Sequence, residues 1–500
     1  MPLQNTARVR EQVRTGTAPA AAAVLREARW LSLAGVVVGL LNYLYSLGLT
    51  HVLPARDYAV FVAGQGVVLV AGTIAATSGA WVLAEALCRA GTDFERARAV
   101  WFSTSLNVLL GLVAALLAAV VSSGFAPPRV VVVIAVAAFL VFPAATAYGS
   151  LQGDGRLRLL AGARLGETVV KCVAGALLVL AGAGAVGAAA GFLAGSAVVV
   201  VAGLLLAGRR LRPVKGAFGM RPLWASAVGV VAVQGLAAVF AAVDQVVVAA
   251  VASDPGRAAA YQTATIVARV PLFLAGAVAA AVHGSITGEA DGAREVAGAA
   301  VRNYLAAALP FAAVLATVPA SLLQRVLPAG YAGTATVLPF AAAAGVLLGA
   351  IALLATVLQA RGLHSRAARA LGAGLAFHAA VLPLAHSAAG VTGMAIGAVA
   401  GTGTTLVVLL RVTPSRVRRA FLPSLRATTW CAVLMVVLLV IRSWPLGWFA
   451  AAVLAGAATC AVVFGGVPLG APRRYEPRHA VAPGRAGEKA SWAADRGWDR

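Results

Sequence analysis

Apolar runs of about twenty residues or more recur along almost the whole chain, with only short polar gaps between them. A hydrocarbon layer roughly 30 Å thick is crossed by about 20 helical residues, so each run is long enough for one crossing. The first two predicted spans are 30–52 and 57–87, joined by Pro54-Ala55-Arg56-Asp57. Two more follow at 99–121 and 128–151, parted by the helix-breaking Pro127-Pro128. Residues 166–207 are too long for one crossing, and Ala181-Gly182-Ala183-Gly184 divides them into a fifth and a sixth helix. Six further spans lie at 223–250, 258–285, 301–323, 332–360, 368–388 and 389–410, and a closing pair at 427–442 and 444–465.

The expected fold is an all-α polytopic membrane protein of about 14 transmembrane helices. Two parallel six-helix bundles face a central cleft, and two C-terminal helices follow. An N-terminal segment (1–29) precedes the first bundle (30–211), and a linker (212–222) leads to the second (223–411). A further linker (412–426) leads to the closing pair (427–465), and the charged, Gly- and Pro-rich tail (466–500) is predicted to be disordered.

Composition matters here through charge. The chain is 61% apolar and only 11% charged, about half the charged share of a soluble protein, yet its net charge is +23. In this topology 33 of the 40 Lys and Arg fall on one side. Five (Arg56, Arg129, Arg257, Arg325 and Arg442) fall on the other, and Lys171 and Arg269 lie inside spans. Basic loops stay cytoplasmic. The expected location is therefore the cytoplasmic (plasma) membrane with both termini inside, and the charge requires no nucleic-acid partner. The first apolar run follows a basic, polar segment and is long enough to span, which reads as an uncleaved helix and not a signal peptide. The four scattered cysteines imply no disulfide framework.

The two bundles are related by an internal repeat. Leu151-Gln152-Gly153-Asp154-Gly155 recurs 207 positions later as Leu358-Gln359-Ala360-Arg361-Gly362. Gly184, Gly187, Gly191, Ala194 and Gly195 recur 206 positions later as Gly390, Gly393, Gly397, Ala400 and Gly401, and Tyr58 and Tyr261 stand 203 apart. An even number of crossings per unit makes the repeat parallel, and the cleft between such units is the usual substrate path.

Several blocks stand in order along residues 30–465: Leu53-Pro54-Ala55-Arg56-Asp57-Tyr58-Ala59-Val60-Phe61, Val243-Asp244-Gln245, Ala260-Tyr261 and Arg269-Val270-Pro271. Further along come Leu327-Pro328-Ala329-Gly330-Tyr331, the Leu358–Gly362 block and Ala389-Gly390-Val391-Thr392-Gly393-Met394-Ala395. In these the pattern resembles the polysaccharide exporter branch of the multidrug/oligosaccharidyl-lipid/polysaccharide exporter superfamily, which includes the O-antigen and lipid II flippases. The chain departs from the family at His283-Gly284-Ser285, where members often have Pro. The resemblance implies a flippase that moves a polyprenyl-pyrophosphate-linked oligosaccharide by alternating access. The partners it implies are that lipid-linked substrate, membrane lipids and other membrane proteins of polysaccharide assembly.

Charges deep in a membrane are costly and mark candidate sites. Arg269 lies about eleven residues into the eighth helix, roughly 16 Å from its outer end. Its guanidinium suits pyrophosphate, and an ion pair with Asp244 is the competing reading. Asp244 pairs with Arg269 or titrates, which would couple transport to a proton or sodium gradient; no cofactor is expected. Glu167 and Lys171 have the spacing of a helical salt bridge, with Lys171 as a further cleft candidate. Gln65, Asn107, Gln234 and Gln262 are polar positions in spans that glue helices or contact ligand. His283 and His378 each stand alone and read as core or interfacial residues.

Two other functions fit the architecture less well. An ion-coupled multidrug exporter of the same superfamily typically lacks the closing pair at 427–465. A membrane enzyme of polysaccharide assembly generally needs a sizeable outward loop, and each outward loop here is expected to be about ten residues or fewer. The sequence holds no GxxxxGK[ST] phosphate loop and no HExxH motif, so the expectation is a transporter and not an enzyme.

Overall fold

Leu, Val and Ala populate every side of most helices, and large apolar side chains such as Leu112, Leu116, Leu205, Val440 and Leu454 face outward. Helices that are apolar all round belong in lipid. The computed structural model describes residues 18–207, 213–214, 221–286, 291–421 and 425–465. The basic residues Arg209, Arg210, Arg212 and Lys215 and the tail 466–500 lie outside these, as does the side chain of His283.

The first bundle comprises α1 (Ala18–Gly48), α2 (Ala55–Arg89), α3 (Asp93–Ser122), α4 (Pro128–Gly153), α5 (Leu157–Leu178) and α6 (Gly184–Ala207). The second comprises α7 (Arg221–Val251), α8 in two segments (Pro255–Val267 and Val270–Ile286), α9 (Asp291–Thr317), α10 (Thr334–Ala360), and α11 and α12, which together form His364–Val412. The closing helices are α13 (Leu425–Val440) and α14 (Pro445–Gly465), with α14 packed on α9. Among the described residues, ten helices are long and apolar enough to span a membrane. Dividing the two 49-residue ones at their kinks and adding the two shorter apolar helices gives fourteen. The chain is a multi-pass membrane protein.

The repeat seen in the sequence is a repeat of conformation. α4 and α10 end in the same Schellman turn: Arg156 N bonds Leu151 O and Leu363 N bonds Leu358 O, both at 2.9 Å, with Gly155 and Gly362 each at φ +71°. The α5–α6 and α11–α12 junctions turn at Gly184 (φ 52°, ψ −138°) and Gly390 (φ 61°, ψ −148°). The recurring glycines that follow let paired helices touch. A Cβ on Gly191 would lie 2.5 Å from the Lys171 carbonyl, and one on Gly397 would lie 2.9 Å from the Ala385 Cβ. Asp57, in the first turn of α2, caps the start of α6 by accepting from Ala185 N at 3.3 Å.

Several boundaries differ from expectation. α5 begins at Leu157, nine residues before the predicted 166, because the Schellman turn reverses the chain at once. α9 runs from Asp291 to Thr317 instead of 301–323: Pro319 disfavours helix at the residue before it. The loop after α9 is therefore longer than the expected ten residues, and it holds the short helix Ala320–Val326.

The bundles meet along α2 and α7 and, on the face opposite the basic loops, through one apolar cluster. Leu49, Leu53, Tyr58 and Phe61 from the first bundle pack there with Ala259, Ile266, Leu327 and Tyr331 from the second. The Tyr58 and Tyr331 rings stand edge to face, 5.5 Å apart. α1 meets α8 only lightly, through the segment Pro255–Val267. This structure is thus sealed on the face away from the basic loops.

The left-handed backbone at Gly390 is one that L side chains rarely adopt, and the space beside it is open. Gly390→Ala should therefore cost about 1–3 kcal/mol through conformation alone. Thermal unfolding in detergent will show a lowered midpoint; an unchanged midpoint contradicts this reading of the kink.

Candidate functional site

Arg269 owes its position to a break in α8. Pro271 has no N–H to offer the carbonyl one turn back, and the helix opens at Ala268 and Arg269. Gly345 of α10 lies so close to the Ala268 carbonyl that no Cβ would fit between them. Pinned there, the Arg269 guanidinium donates to the Ala241 carbonyl of α7 at 2.6 Å. Asp244, one turn further along α7, accepts from Gln245 N at 2.8 Å and from the Tyr261 hydroxyl at 3.3 Å.

Asp244 and Arg269 line one cavity of about 40 Å³, together with Thr265, His378 and Thr402. All of its walls come from the second bundle. At 10–15 Å³ per water, it has room for about three waters and none for a pyrophosphate. The two charges interact electrostatically, but among the described residues no N–O approach within 4.0 Å joins them. The expected direct ion pair is therefore replaced by a separated pair, because each group spends its short contacts on its own neighbours.

The spacing of Glu167 and Lys171 likewise suggests a salt bridge that is not made. Glu167 accepts from the Tyr148 hydroxyl of α4 and from Ser196 of α6. Lys171 turns the other way: it donates to the Asn42 side chain of α1, and its ammonium lies 4.8 Å over the Phe192 ring. Helical spacing allows such a pair, but nearer hydroxyl and amide partners win both side chains.

The four remaining candidates do not converge with these. Gln262, fully buried, donates to the carbonyls of Ala59 and Gln245, both at 3.0 Å, and so ties the first bundle to the second. Gln234 donates to Gln359 at 2.6 Å and joins α7 to α10. Gln65 touches Ser46 of α1 at 3.4 Å, and Asn107 donates to Thr146 at 2.9 Å inside the first bundle. His378 is buried as expected, stacked on Phe240 at 4.5 Å, yet it also lines the Asp244–Arg269 cavity. Sequence reasoning missed that role, and it missed the break; Pro271, two residues after an intramembrane arginine, was the available signal. Outside the spans, burial pushes the Tyr331 hydroxyl well above its ordinary pKa, so it stays protonated in the seal.

A second cavity, of about 460 Å³, is a groove along α8, α9 and α14, lined by Val270, Pro271, Phe311, Trp448, Phe449 and Gly456 among other residues, nearly all apolar.

Paired six-helix bundles, a seam sealed at one face, intramembrane charges and a closing helix pair define a membrane protein with the fold of flippases and multidrug exporters. The sequence model of the family described as "Polysaccharide biosynthesis protein" matches residues 67–336, more than half of the chain, and the chain belongs to that family. Its fold is similar to that of the lipid II flippase MurJ in an inward closed conformation (TM-score 0.68, 12% identity, covering 87% of this chain and 99% of that one). It is also similar to an inward-facing multidrug resistance MATE family transporter of the MOP superfamily (TM-score 0.59, 15% identity, 80% and 95%). The eukaryotic MATE transporter AtDTX14 shares the fold as well (TM-score 0.54, 16% identity, 79% and 98%). No curated protein sequence matches the chain.

Of the two bonds made by Gln262, the one to Ala59 crosses between the bundles and is worth about 1 kcal/mol. Gln262→Leu should shift the population toward forms open at the sealed face. A cysteine replacing buried Val62 in a cysteine-free background should then react with a polar maleimide roughly fivefold faster; unchanged labelling would mean that Gln262 does not hold the seam.

Proposed function

We propose that this protein is a flippase that carries a polyprenyl-pyrophosphate-linked oligosaccharide across the cytoplasmic membrane, with the basic face inside and the two bundles alternating in access. The observation that carries this reading is the groove along α14. A chain of apolar isoprene units needs an apolar path alongside the route of its polar head, and this groove supplies one that begins at Val270 and Pro271, next to the break in α8. Membership of the polysaccharide biosynthesis family supports the sugar, and the closing helix pair, of which α14 lines the groove, argues against a plain multidrug exporter.

In this reading the seal of Tyr58, Tyr331 and their neighbours is the outward gate in its closed state. Basic-side entry is between α1 and the inner segment of α8, because the light α1–α8 contact lies in the outer segment Pro255–Val267. Lys171 is the cation best placed for the pyrophosphate as α1 moves, because its partner Asn42 is neutral and gives way without leaving a carboxylate unpaired. Arg269 and Asp244 flank the path from within the second bundle, with Gln65, Gln234 and Gln262 holding its walls.

Cells depleted of the protein should accumulate polyprenyl-pyrophosphate oligosaccharide confined to the cytoplasmic leaflet, and wild type should clear it. Gly456 lines the groove and has open space for a Cβ, so Gly456→Trp places a large side chain at the groove wall. This variant and Lys171→Met, at equal membrane levels, should clear the lipid roughly tenfold or more slowly, the loss expected for a charge-assisted contact. Absence of any such excess in a strain with no second flippase would overturn the substrate assignment.

A further inference from the structure

Arg269 and Asp244 invite an explanation that does not depend on the cargo. Four of the five helices around the cavity they share bring a polar group to it: the carboxylate of Asp244 on α7, the hydroxyls of Thr265 on α8 and Thr402 on α12, and the imidazole of His378 on α11, while the α10 wall is apolar. His378 is 2% exposed, its ring fixed against Phe240 and its Nδ1 without a partner. The carboxylate of Asp244 and the two threonine hydroxyls around a space of a few waters form an oxygen donor set that suits a small hard cation, with the imidazole at its edge. One wall of the space is a guanidinium.

The charges close the account. The groups that face the cavity are Asp244 from α7, Arg269 from α8, with Tyr261 bonded to Asp244, and His378 from α11; the walls from α10 and α12 add no ionisable side chain. From the first bundle, Tyr58 lies within electrostatic reach of Arg269. With the phenols and the imidazole neutral, one negative and one positive charge remain. A carboxylate alone in this place would need a cation from solution, because an unpaired buried charge is strongly unfavourable.

We propose that Arg269 is the resident cation of this site: its guanidinium, tethered by the break in α8 and fixed on the Ala241 carbonyl, balances Asp244 across the cavity, and the site takes no exchangeable ion. Removing the guanidinium uncovers a site for a small monovalent cation. Arg269 is then a positioning residue for the second bundle and not a contact for the phosphate of the cargo.

The test uses the purified full chain in detergent. Arg269→Ala should unfold at a lower temperature than wild type in choline chloride. Sodium, or guanidinium at non-denaturing concentration and equal ionic strength, should restore it, while wild type and Asp244→Asn/Arg269→Ala respond to neither. Absence of any cation response in a folded Arg269→Ala protein overturns the proposal. If that variant gives no folded protein, the decision passes to Arg269→Gln with and without Asp244→Asn. Recovery of folded yield in the double variant supports the proposal, and no recovery overturns it. In cells, the single variant should lose roughly tenfold or more of the wild-type function, with the double recovering to within about threefold. A double variant that folds but stays as inactive as the single would instead make Arg269 a contact for cargo. Failure of this test leaves the groove and Lys171 untouched, and a different cargo leaves this test untouched.

Discussion

Inside a bilayer the backbone has no water to bond, so every interruption of a helix must be satisfied by the protein itself. The architecture follows from where the chain meets that demand. Asp57 caps the start of α6 from a neighbouring helix. Matching Schellman turns close α4 and α10, and from the opened turn of α8 Arg269 reaches across to the Ala241 carbonyl of α7. Each device also fixes a neighbour. The first holds α2 to α6, and the last places a charge at a defined depth in the second bundle.

The repeat keeps the backbone devices and varies the side chains between the copies. Gly155 and Gly362 share a conformation, as do Gly184 and Gly390. The charges are not shared. The first bundle sets Glu167 and Lys171 against separate neutral partners, whereas the second gathers Asp244 and Arg269 around one cavity. In the proposed cycle this asymmetry divides the labour: a lysine free to change partners on one side of the path, and a self-neutralised pair on the other that lets the second bundle move as a unit.

Much of the fold was legible in the sequence because lipid imposes a simple rule. Long apolar runs gave the helices, Gly182 and Gly184 marked one kink, and the expected boundary between 388 and 389 falls beside the other, at Gly390. Side-chain partners were less legible. Spacing of four residues suggested a Glu167–Lys171 bridge, but it does not reveal that Tyr148 and Asn42 stand closer. Nor could it show that a lone histidine on α11 lies beside an aspartate 134 positions earlier in the chain. Those partners are set by how helices rotate and cross, which apolar periodicity in an all-apolar segment does not specify. The short α9 boundary was in principle readable from Pro319, and the break in α8 from Pro271.

In the proposed cycle the two bundles part at the sealed face. His51 of the first bundle approaches the Val326 carbonyl of the second within 2.9 Å at an exposed point of that seal. Cysteines at these positions in a cysteine-free background can be bridged by a short reducible crosslinker, and translocation of the lipid-linked oligosaccharide followed before and after reduction. The account predicts that bridging stops translocation and reduction restores it, with either single cysteine unaffected. Undiminished translocation by a fully bridged protein would contradict it.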